Sequence, residues 1–90
     1  MMIFQISFLP RFLKSFEELD PISQKSIRKT IALLSEDPKH PSLRSKKVKG
    51  TEFLYEASAN MDLRISWEYK NENTILIRNC GHHDKLLKNP

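Results

Sequence analysis

From Asp62 to Asp84 the chain reads DLRISWEYKNENTILIRNCGHHD. Leu63, Ile65, Trp67 and Tyr69 alternate with Asp62, Arg64, Ser66 and Glu68, the period of two of a strand with one apolar and one polar face. Asn71, Glu72 and Asn73 break that pattern, and the β-branched run from Thr74 to Arg78 predicts an antiparallel return strand. Gly81 is expected to end it, directly before His82 and His83. The hairpin thus delivers Arg64 and a histidine pair to one region, and the remaining chain must cover its apolar face.

The segments before it supply that cover. Phe4, Ile6 and Phe8 alternate with Ile3, Gln5 and Ser7, so Met2 to Phe8 reads as a first strand with both sides partly covered. Pro10 fits a first helical turn, where its missing N–H costs nothing, and Phe12, Leu13, Phe16 and Leu19 recur at helical spacing. Asp20 before Pro21 marks a second helix start, with Ile27, Ile31 and Leu34 as its buried stripe. Asp37 and Pro38 end it, because the residue before proline is pushed out of the α region. Ser42 to Gly50 sets Leu43 and Val48 among Arg44, Lys46, Lys47 and Lys49, a basic arm or edge strand. Phe53, Tyr55 and Ala57 then alternate with Leu54, Glu56 and Ser58 in a further strand. The order predicts one α+β domain over residues 1–90: an N-terminal strand, a two-helix hairpin, then a three- to four-stranded antiparallel sheet with the helices on one face. The opposite face is expected to carry Glu56, Ser58, Arg64, Ser66 and Arg78.

Composition narrows the class. The formal charge is +4, and the surplus sits late: nine Lys or Arg against six acids from residue 42 onward, six against five before it. A modest basic excess favours a polyanionic or acidic partner. Cys80 is the only cysteine, so no intrachain disulfide forms, which fits a reducing compartment. The opening MMIFQISFLPRF lacks a basic n-region and a cleavage site, and no apolar run nears the ~20 residues that span a bilayer. A cytoplasmic protein without a membrane partner is the expectation.

Three signatures, SLRSKKVKG, DLRISWEY and ILIRNCGHHDKLLK, in this order and across nearly the whole chain, resemble the RelE/ParE superfamily of toxins from type II toxin–antitoxin systems, nearest to its RelE and YafQ type. The resemblance implies an endoribonuclease that cleaves messenger RNA on the ribosome and inhibits translation, neutralised by a cognate antitoxin protein. A ParE-like inhibitor of DNA gyrase without ribonuclease activity is the alternative, since one scaffold hosts both; a module that has lost activity is a third. By the same resemblance Arg64 matches the strand arginine of RNA-cutting members, and His83, two after Gly81, the C-terminal catalytic position. Lys46 and Lys49 match positions that touch RNA or assist catalysis, and Glu56 stands where well-known members have lysine. Leu87 lies near the position where relatives carry a stacking aromatic.

The implied reaction is attack of a ribose 2′-OH on the adjacent phosphorus, giving a 2′,3′-cyclic phosphate and a 5′-OH. It needs no metal or cofactor, but it needs a base, a cation for the phosphoryl oxygens and an acid for the leaving oxygen. Imidazole, with an unperturbed pKa of ~6.5, suits the acid, assigned to His83. Arg64 offers a planar fork that matches phosphate, and it equally fits an ion pair with Glu56 or Glu68. The base is open among Lys46, Lys49 and Glu56. Arg44, Lys47, Arg78, His82 and Leu87 complete the expected RNA-binding set, though lysines on a short edge strand also guard against unwanted pairing. Cys80, His82 and His83 lack a second ligand pair at usable spacing, so no metal site is expected. Trp67 shares parity with Leu63 and Ile65 and is expected in the core.

Overall fold

The computed structural model describes residues 3–90, except for the side chains of Lys85 and Leu87; Met2, the expected start of the first strand, lies outside the described residues. The elements are β1 (Gln5–Phe8), α1 (Pro10–Glu17), α2 (Pro21–Glu36), a 3-10 turn (Pro41–Leu43), β2 (Lys46–Lys47), β3 (Tyr55–Ser58), β4 (Leu63–Asn71), β5 (Thr74–His82) and α3 (His83–Lys88). The fold is α+β, with one five-stranded sheet in the order β1-β5-β4-β3-β2. β1 lies parallel to β5, and the other pairings are antiparallel.

Local chemistry explains the helix starts. Asp20 caps α2, its carboxylate accepting from the Ser23 N–H at 3.2 Å and the Ser23 hydroxyl at 2.6 Å. Pro10 and Pro21 both sit where a helix has no use for an N–H. Ile27, Thr30 and Leu34 are buried, and Ile27 and Leu34 join Phe12, Leu63, Ile65, Trp67, Ile75 and Ile77 in a single cluster, against which the expected stripe residue Ile31 is only partly buried. Each such side chain contributes on the order of 1.5–3 kcal/mol when fully buried.

Several expectations need correction. β5 does not stop at Gly81 but runs through it to His82, with Gly81 opposite Arg64. The following residues form a third helix, α3, whose Leu86 is buried outside the main cluster. Asn79 ties its end down, donating from Nδ2 to the Asn89 carbonyl at 2.7 Å. Ser42 to Gly50 is hardly a strand: β2 has two residues, and Lys49 and Gly50 turn the chain at its end. Thr51 N–H closes that turn on the Val48 carbonyl at 3.1 Å, and the φ of +88° at Gly50 is one that glycine adopts at little cost. Phe53 falls outside β3 and is 57% exposed, while Leu54 is buried.

Candidate functional site

The site lies on the sheet face away from the main core. The register places Lys46, Glu56, Ser66 and Asn79 in one row across β2, β3, β4 and β5. The next row holds Ser58, Arg64 and Gly81. Paired residues on neighbouring strands share a face, so the hairpin brings Arg64 beside Glu56, and α3 begins with His83.

Glu56 is the hub. It is 4% exposed, and its Oε1 lies 3.4 Å from Arg64 Nε and 3.5 Å from His83 Nδ1. At these separations the contacts are electrostatic, and neither Glu56 Oε1 nor His83 Nδ1 has a hydrogen-bond partner among the described residues. A buried carboxylate is costly to keep charged unless a cation stands close, and here the Arg64 guanidinium does, with the His83 ring beside it. The backbone fixes both. Arg64 Nη1 donates to the carbonyls of Asn60 at 2.6 Å and Leu63 at 3.2 Å, and the Asn60 side chain shapes that turn by accepting from the N–H groups of Asp62 and Leu63. The His83 N–H donates to the Asp62 carbonyl at 2.7 Å. Arg64 thus pairs with Glu56 rather than Glu68, and the ion pair and a phosphate-facing guanidinium are compatible uses of one side chain.

The other expected residues divide. Lys46 is exposed and faces Glu56 across the β2–β3 pair. Lys47 pairs with Tyr55, which puts it on the other face, and its Nζ stands 3.8 Å from Glu52. Lys49 is exposed in the turn beyond β2. Arg78 is drawn to Glu68 at 2.7 Å, next to a register shift between Ser66 and Trp67 that displaces it from the regular ladder. His82 is exposed and pairs with Asp62, not with Asp84, so the two histidines serve different carboxylates. Leu87 belongs to α3, and its side chain is outside the described residues. Arg44 is exposed, holds a φ of +49° and shares with Arg64 an open cleft of about 420 Å³ bounded by Ser42, Ser58 and Met61.

Cys80 is buried and its thiol is pushed up to about 12 by desolvation, which makes it an inert core residue. Among the described residues, no group of three or more His, Cys, Asp or Glu side chains is placed to hold a metal ion, and no helix is long and apolar enough to cross a membrane. The buried cover of Glu56, Ser66 and Asn79 under α3 was not foreseen: a six-residue helix leaves little periodicity to read.

No protein-family model and no curated protein sequence matches the chain. Solved structures do. The toxin in a RelB–RelE antitoxin–toxin complex from Methanococcus jannaschii superposes with a TM-score of 0.72 at 23% identity, over 91% of this chain and 95% of that one. In the RelBE2 toxin–antitoxin complex from Mycobacterium tuberculosis the TM-score is 0.78 at 16% identity, with 92% and 94% covered. A YoeB/ParE toxin from Agrobacterium tumefaciens gives 0.76 at 12% identity, with 88% and 98% covered. The chain has the fold of these toxins over nearly its whole length.

Proposed function

We propose that this protein is the toxin of a toxin–antitoxin pair and acts as a metal-independent endoribonuclease on messenger RNA. The observation that carries the reading is the convergence of Arg64 and His83 on one buried carboxylate oxygen, Glu56 Oε1, at 3.4 and 3.5 Å. A phosphodiester cut by its own 2′-OH needs a cation at the phosphoryl oxygens and a proton for the leaving 5′-oxygen. Arg64, tethered by Glu56, supplies the first. His83 supplies the second from Nε2, because Nδ1 faces Glu56. Of the three candidates for the base, Glu56 is enclosed between Arg64 and His83, and Lys49 stands out in the turn. Lys46, exposed on the same face, is the group placed to meet the 2′-OH.

The partner is an antitoxin with an acidic or amphipathic binding segment that covers this face, by analogy with the complexes from Methanococcus jannaschii and Mycobacterium tuberculosis. Purified protein added to translating ribosomes should yield messenger fragments with 2′,3′-cyclic phosphate and 5′-OH ends. Fragments with 5′-phosphate and 3′-OH ends, the products of a water-attacking nuclease, would overturn the mechanism. Inhibition of gyrase supercoiling with intact RNA would move the reading to the ParE-like alternative.

A further inference from the structure

A second cleft lies on the helix side of the sheet, over β3 and β4, and the proposed chemistry does not use it. Its volume is about 610 Å³, and its walls include Lys39, His40, Arg44, Tyr55, Trp67 and Tyr69. Tyr55 and Trp67 stack with centroids 4.7 Å apart and planes at 19°. Tyr69 stands edge-on to Trp67, 5.1 Å away at 80°, and is 40% exposed. Trp67 Nε1 and Ser45 Oγ, two polar atoms of residues in this wall, have no hydrogen-bond partner among the described residues. Buried polar groups are seldom left so. Lys39 and Arg44 are both exposed, and neither has an ion-pair partner among the described residues.

Arg44 connects this cleft to the one beside Arg64, since it lines both. Its φ of +49° is uncommon for a residue with a side chain, and its N–H holds the bend by donating to the Pro41 carbonyl at 3.1 Å. The space is of the size that single small ligands occupy. Aromatic walls at right angles beside unpaired cations suit a flat base attached to a phosphate better than they suit an aliphatic side chain.

We infer that this aromatic cleft is a nucleobase subsite: it takes one unpaired base of an RNA strand that passes Arg44 on its way to Arg64. The inference rests on the ribonuclease reading for its choice of strand. The Tyr69 ring provides the stacking surface, and Lys39 and Arg44 take the flanking phosphates.

Trp67 is the only tryptophan and stands in the cleft wall, so its fluorescence is a probe of occupancy there. The test titrates the full chain with adenosine and guanosine 5′-monophosphates and with a 2′-O-methyl triribonucleotide, which cannot be cleaved through its own 2′-oxygen. The expected result is saturable quenching that weakens with salt for the trinucleotide. Tyr69→Ser should weaken binding by ~5- to 100-fold, the usual loss for one stacked base, while Tyr69→Phe retains it. Lys39→Glu, a surface change with little consequence for folding, should weaken it as well. Absence of saturable quenching in folded protein overturns the inference, and so does wild-type affinity in both Tyr69→Ser and Lys39→Glu. Quenching by an acidic peptide and not by nucleotides would identify a peptide groove and equally overturn it. Nucleotide binding without messenger cleavage would sink the ribonuclease reading and leave the subsite; cleavage without nucleotide binding would do the reverse.

Discussion

The two faces of the central sheet are held by different physics. Toward α1 and α2, Ile65, Ile75, Ile77 and Trp67 are sealed against Ile27 and Leu34, a contact that is apolar, broad and indifferent to charge. Toward α3, β3, β4 and β5 present Glu56, Arg64, Ser66 and Asn79, beside a six-residue helix whose Leu86 is buried. The first arrangement stabilises through area, so many side chains share the load. The second depends on a few buried charges whose partners are each indispensable. Folding therefore rests on one face, and the other is left to hold Arg64 and His83 in a geometry that apolar packing would not require.

That division can be broken at either face. His83→Ala is expected to reduce RNA cleavage by ~10²- to 10⁴-fold while the urea midpoint barely moves, because His83 is a partly exposed group on the chemical face. Trp67→Ala should act on the fold first, costing about 3–5 kcal/mol of stability in urea unfolding. Arg64 straddles the two behaviours. Arg64→Met leaves Glu56 buried beside a lone histidine and should cost about 3 kcal/mol as well as cleavage. Adding Glu56→Met should recover most of the stability and none of the cleavage, and a double-mutant cycle measures the coupling. Recovery of cleavage in the double variant would show that Arg64 does not touch the phosphate.

The smallest effect concerns the helix side. The Ser23 hydroxyl, followed by the Ser23 N–H, holds the Asp20 carboxyl below its usual range. A depressed carboxyl contributes stability that is fully present above its unfolded pKa and disappears as pH falls through the folded value. Asp20→Ala should therefore lower the melting temperature slightly at neutral pH and make no difference in strong acid, as thermal unfolding across pH would record.

Residues with a strong local signal were legible in advance. The alternation from Leu63 to Tyr69, the Asp20–Pro21 start and the stop at Asp37 and Pro38 each state their conformation within a few positions, and the structure follows them. That Arg64 shares the polar face with Glu56 was legible from parity, but the choice of Glu56 over Glu68 as its partner came only from the β3–β4 register. What escaped was set by distant contacts. β1 lies beside β5 although two α-helices and three strands separate them in the chain, and no local pattern announces a parallel partner. α3 is six residues long, too short to show a period. Gly81 read as a terminator because glycine punctuates strands, yet here it continues the ladder opposite Arg64. The basic arm looked like one strand, whereas the bend at Arg44 and the turn at Gly50 divide its cations between two faces and a tip.

The most direct test of the Arg64–Glu56–His83 account is mapping of messenger 5′ ends in cells after brief induction, comparing the wild type with His83→Ala. The account predicts new 5′-OH ends inside translated frames for the wild type and their loss in the variant, with both proteins folded to the same level. Growth arrest without new ends, or the same ends from both proteins, would contradict it.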